Sequence, residues 1–210
     1  MGYQWNWGVF LQPSATGDDT YLGWMFAGFK MTITLSLTAW VLALLLGALV
    51  GVLRTVPNKV LAGIATAYVE LFRNIPLLVQ LFIWYFVLPE LLPESIGNAY
   101  KQSNPVLQQF LAAMVCLGLF TSARVAEQVR AGINSLPRGQ KNAGLALGLT
   151  LPQTYRFVML PMAFRLVVPP LTSEFLNIFK NSAVCSTIGL LELAAQGRQL
   201  VDYTAQPYES

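Results

Sequence analysis

The sequence predicts an all-α protein whose helices cross a membrane. Three observations carry that expectation. Of 210 residues, 55% are hydrophobic and 11% charged. A soluble domain carries about 25% charged residues, so much of this surface must face lipid. Second, Met31–Leu53 is an uncharged apolar run bracketed by Lys30 and Arg54, and about 20 such residues cross a bilayer. Third, comparable stretches recur at about 60–88, 106–125 and 157–179, giving four spans.

The segment 1–29 precedes them and is expected to be extracytoplasmic. It has no basic region leading into an apolar run, so it does not read as a secretory signal peptide. Tyr3, Trp5 and Trp7, then Tyr21 and Trp24, suit a membrane–water interface. The second span carries Glu70 and Arg73. The fourth carries Arg165, Glu174 and Pro161, with Pro169 and Pro170 expected to interrupt it. Such residues fit a helix packed inside a bundle or lining a polar path, not one facing lipid.

Loop charges give an orientation. The link after span one holds Arg54 and Lys59 and no acid; the next holds Glu90 and Glu94 against Lys101. The long third link, about 126–156, holds Arg130, Arg138, Lys141 and Arg156 with Glu127 as its one acid. By the positive-inside rule the first and third links are cytoplasmic and the second is outside. The N-terminus, with Asp18 and Asp19, is then outside as well. So is the stretch after Lys180, where one short helix is expected around Ile188–Gln196.

Several classes of chemistry are excluded. With no histidine in the chain, His-ligated metals and histidine-based nucleophile systems fall away. Cys116 and Cys185 lie far apart in apolar sequence and read as buried thiols. No GxxxxGK[ST] loop is present to cradle ATP, and no HExxH or GxSxG occurs. The net charge of +3 is scattered, unlike a nucleic-acid footprint. No catalytic residue, metal or cofactor is expected.

The third link is the informative one, because a connector between helices needs only a few residues. It reads as a helix over about 138–149 after Pro137, with Gly144 and Gly148 four apart on one face. Thr150 then caps a new helix with Pro152 in its first turn. Spacing alone leaves a second reading open, a loop on the membrane surface with Arg138 and Lys141 at lipid headgroups.

The stretch GQKNAGLALGLTLPQTYRFVMLP resembles the loop that permeases of ABC importers present to their ATPase. That pattern is Glu-Ala-Ala, three residues, Gly, nine residues, Ile, one residue, Leu-Pro. It falls on Asn142, Ala143, Gly144, then Gly148, Val158, Leu160 and Pro161. Asn142 departs from the usual Glu, and Gly144 from Ala. Arg73–Pro89, Val125–Gln140 and Leu160–Leu193 resemble the polar amino acid uptake permeases, closest to a permease subunit of glutamate/aspartate importers.

The resemblance implies a type I importer permease bundle with ATPase-coupling residues at Arg138, Gly139, Gln140, Asn142, Ala143, Gly144 and Gly148. It implies an ATP-binding subunit dimer, a second homologous permease and an extracytoplasmic amino-acid-binding protein as partners, beside membrane lipid, in a bacterial inner membrane. It also implies a fifth span after Ser210, which would leave the stretch after Lys180 without its neighbour. An ion-gradient-driven secondary transporter is the alternative; Glu70, Glu174 and a broken helix would suit it.

Polar residues within the spans are the candidates for a substrate path: Glu70, Arg73, Asn74, Gln80, Arg165, Glu174, Asn177, Lys180 and Asn181. Glu70 and Arg73 stand three apart and could instead pair with each other. Interhelical hydrogen bonds, worth about 1 kcal/mol each in membranes, are the other reading.

Overall fold

A computed structural model describes residues 5–17 and 19–207, so the readings of Tyr3 and Asp18 lie outside the described residues, as does the Arg138 side chain. Apart from an isolated bridge between Pro13 and Thr20, the regular structure described is helical.

Helix α1 (Tyr21–Leu53) begins well before Met31, so residue 29 is no boundary. After a short link Asn58 caps α2 (Lys59–Asn74), its side-chain oxygen accepting from Val60 and Leu61 N–H at 3.0 and 3.2 Å. The expected second span is not one helix. Ile75 is extended (φ −90°, ψ 127°), because the ring of Pro76 disfavours helical geometry in the residue before it. The chain bends by 101° there. It continues as α3 (Leu77–Phe82), a π-helical turn at Ile83–Val87, and α4 (Leu88–Leu91).

The second link forms α5 (Glu94–Lys101) and holds a Lys101–Glu90 ion pair at 2.7 Å. Helix α6 (Pro105–Asn134) runs unbroken past Val125, so the third link is shorter than expected. Then come α7 (Arg138–Ala146) and α8 (Leu151–Thr154). Thr150 caps α8 as expected, in a capping box with Gln153. A π-helical turn at Tyr155–Met159 leads into α9 (Leu160–Ser182), a 3-10 turn at Ala183–Ile188, and α10 (Leu193–Thr204).

Helix α9 passes through Pro169 and Pro170 without a break, correcting the expected interruption. Proline's fixed φ is itself helical, and long helix on either side holds the register when a ladder bond is lost. Tyr21–Leu53 and Pro105–Asn134 are long and apolar enough to cross a membrane. Two bent pairs, Lys59–Asn74 with Leu77–Leu91 and Leu151–Ile188 with Leu193–Thr204, bring the total to four if each is one span.

Contacts divide the chain into two compact units. The first draws on described residues within Met1–Leu37, Leu81–Met114 and Phe179–Ser210. In it the stretch after Lys180 is anchored on α1. Leu193 N–H donates to Thr32 Oγ1 at 3.1 Å, and Trp24 meets Tyr203 edge-on at 5.9 Å. The expected 188–196 helix starts later: Gly189, at φ +87°, ends the 3-10 turn, and Glu192 caps α10. Val9, Tyr21 and Leu200 form the local core.

The second unit comprises Thr38–Gln80 and Val115–Ile178. Gly47 and Gly51, one turn apart on α1, let α6 approach closely: a Cβ on either would stand 2.6–2.7 Å from the Ser122 or Ala126 carbonyl. This small-xxx-small packing suits helices in lipid, where association depends on close backbone approach. Around it pack Val50, Ala65, Val69, Ala123 and Ala126.

Candidate functional site

Two features of the second unit are candidates for function, a charged cavity and the helix α7. The cavity begins at the end of α2. Gln80, 2% exposed, donates its Nε2 to the Phe72 and Ile75 carbonyls at 2.8 and 2.9 Å. It thereby satisfies carbonyls that Pro76 leaves outside any helix ladder. Gln80 is thus a structural support for the bend.

Beyond Gln80 lies Glu127 of α6. It accepts from Arg54 in an ion pair whose arginine side chain is 6% exposed, and it pairs with Arg73 and Arg130, each at 3.3 Å. The expected Glu70–Arg73 pair therefore does not form. Arg73 turns to Glu127, while Glu70 is exposed. One carboxylate among three guanidiniums leaves the cluster net positive.

Arg73 and Glu127, with Arg124, Gln128 and Glu174, line a cavity of about 240 Å³. Glu174, on α9, is 9% exposed. Arg124 lies over the Phe120 ring at 4.8 Å. The cavity thus joins two predicted residues, Arg73 and Glu174, with three that sequence reasoning missed: Arg124, Glu127 and Gln128. An i, i+3, i+4 stripe of Arg124, Glu127 and Gln128 within apolar sequence was the available signal. The other candidates are not among its lining residues. Asn74, Arg165 and Asn177 are exposed; Lys180, exposed, and Asn181, half-buried, belong to the first unit.

Helix α7 is shorter than the expected 138–149, and its glycines differ in role from the expected bare face. A Cβ on Gly144 would stand 2.8 Å from Thr154 Cγ2, and Thr154 is fully buried. Gly144 therefore seats α7 on the chain's own α8. Gly148 lies beyond the helix at φ +83°. Its N–H donates to the Leu145 carbonyl at 3.0 Å and that of Leu149 to the Gly144 carbonyl at 3.2 Å, a Schellman ending that favours glycine.

The outward face comprises Gly139, Asn142 and Ala143, followed by Leu145, Ala146 and Leu147, the last 83% exposed. Gln140 is half-buried, and its Oε1 is enclosed without a hydrogen-bond partner. Tyr155 fixes the base of this region, donating its hydroxyl to the Thr55 carbonyl at 2.8 Å. A fixed, exposed helix face of small and apolar residues with Asn142, on a link between candidate spans, can receive another protein.

Comparison with known proteins accords with this geometry. Residues 43–208 match the family described as binding-protein-dependent transport system inner membrane component. The chain is 61% identical over 211 residues to the glutamate/aspartate import permease protein GltJ of Escherichia coli (strain K12), covering 100% of this chain and 86% of that protein. It is 40% identical over 169 residues to the probable glutamine ABC transporter permease protein GlnM of Bacillus subtilis (strain 168), covering 80% and 73%. A crystal structure of an amino acid ABC transporter with histidines matches at TM-score 0.74 and 31% identity, over 90% of this chain and 83% of that one. The ion-driven alternative finds no support among these. The chain belongs to the family of binding-protein-dependent transport system inner membrane components, as a multi-pass permease subunit of an ABC importer with the type I permease fold.

Proposed function

We propose that this permease subunit imports polar amino acids, glutamate and aspartate foremost, on energy from a separate ATP-binding subunit dimer. A second homologous permease and an extracytoplasmic amino-acid-binding protein complete the complex. The observation that carries the substrate reading is the 61% identity over the whole chain to a protein named for glutamate/aspartate import. The cavity chemistry agrees: Arg73 and Arg124 can meet carboxylates while Glu174 can meet the ammonium group of the same molecule.

Energy enters at α7. Its outward face, with Gly139, Asn142 and Ala143, meets the ATPase, with Arg138 and Gln140 of the same helix as further coupling residues, while Gly144 and Gly148 hold the helix in place to do so. ATPase closure shifts the spans only if the two states bind α7 with different affinity. The links carrying Arg54, Lys59 and α7 face the cytoplasm and the N-terminus faces outward, on loop charge.

The test is uptake of labelled glutamate by the full complex in proteoliposomes, with unlabelled glutamate, aspartate, glutamine or arginine as competitor. Glutamate and aspartate should compete strongly and arginine little. Equal competition by all four, or by arginine alone, would reassign the substrate.

A further inference from the structure

Two adjoining cavities of the second unit share Ile133. The larger, about 540 Å³, is a groove lined by Leu, Val, Ile, Ala and Phe side chains of α1, α6 and α9 alone. It extends from Leu44 to Val52 along α1 and from Val125 to Ile133 along α6. Helical rise makes those stretches about 12 Å long, a little under half the ~30 Å hydrocarbon core, or nearly one leaflet. Its rim residues Leu45, Leu49 and Phe164 are exposed, so the groove opens sideways.

The second cavity, about 450 Å³, starts where the groove ends. Asn134, Lys141, Asn142 and Tyr155 give it polar walls, and no carboxylate lines it. Among the described residues Lys141 has no ion-pair partner. An apolar channel of one leaflet's depth thus leads to an uncompensated cation beside the Asn134 and Asn142 amides. Neither a free anion nor a plain hydrocarbon matches both halves. A phospholipid does, because basic pockets between spans take anionic headgroups while the chain fills apolar surface.

We propose that the subunit holds one anionic phospholipid here, an acyl chain lying in the groove along α1, α6 and α9 and the phosphate at Lys141. The headgroup sits at the foot of α7, on the same link that receives the ATPase. This goes beyond the transport reading and does not depend on which amino acid is carried.

The experiment is native mass spectrometry of the full complex, purified from bilayers of phosphatidylglycerol and phosphatidylcholine with matched acyl chains. Phosphatidylglycerol should be retained over phosphatidylcholine by about fivefold, the worth of one basic contact near the surface. Lys141→Gln should bring the two to parity while Lys141→Arg keeps the preference. Ala48→Phe, which fills the groove from an exposed wall position, should lower retention of both lipids. Equal retention by the unaltered complex, or a preference surviving Lys141→Gln, would overturn the proposal. So would the absence of retained lipid from either bilayer, the result expected if a partner helix covered the groove. Lipid retention is read independently of uptake, so its failure would leave the transport reading standing.

Discussion

Gly144 of α7 rests against the buried Thr154 of α8, at a distance that leaves no room for a side chain. The small residue at this place in the ABC-importer pattern is therefore an internal fit, turned away from the exposed face of the helix proposed to meet the ATPase.

Gly144→Ala should accordingly destabilise the subunit by about 1–3 kcal/mol through overpacking. Thr154→Ser removes the methyl that the new Cβ would strike at 2.8 Å. Thermal unfolding of the detergent-solubilised complex should show a loss for the single variant and substantial recovery in the double. No recovery would place the strain elsewhere.

Gly148 makes a different prediction because its φ is +83°. Gly148→Ala should cost about 1–2 kcal/mol, and Gly148→Asn less, since asparagine tolerates that conformation. Binding-protein-stimulated ATPase activity of the complex should fall in the same order, and Gly148→Trp should uncouple it.

Glu127 is the one acid among Arg54, Arg73 and Arg130. Glu127→Gln leaves the Arg54 guanidinium enclosed without a counter-charge and should destabilise by about 3 kcal/mol. Replacing both partners, Arg54→Met with Glu127→Leu, should cost less than the single change. Expression level and thermal midpoint in the membrane fraction check both.

Gln80→Leu should leave the Phe72 and Ile75 carbonyls without their donor, at a cost of about 1–3 kcal/mol. Because the residue supports the bend and does not line the cavity, glutamate competition in the uptake assay should be unchanged in surviving complex.

Much of the fold was legible in the sequence because lipid leaves few solutions: four apolar stretches imply four helical passes. The Thr150 cap and the helix after Pro137 were legible because capping is a local matter. The bend at Ile75–Pro76 was missed although Pro76 was in view, since apolarity continues on both sides and hides the break. Pro169 and Pro170 misled in the opposite direction, a helix tolerating what a lone segment would not. In the candidate site, Arg73 and Glu174 could be picked from their charge alone. Their partners could not, because Arg73 chose Glu127, distant in sequence, over Glu70 one turn away. The roles of Gly144 and Gly148 were likewise invisible, as spacing records a shared face but neither Thr154 nor a positive φ.

ATP, not an ion gradient, drives import in the proposed complex. The full complex in proteoliposomes, with binding protein and labelled glutamate outside, should take up glutamate when ATP is enclosed with the ATPase subunits, and continue when the proton gradient is collapsed. Uptake that proceeds without ATP and follows the proton gradient would contradict it.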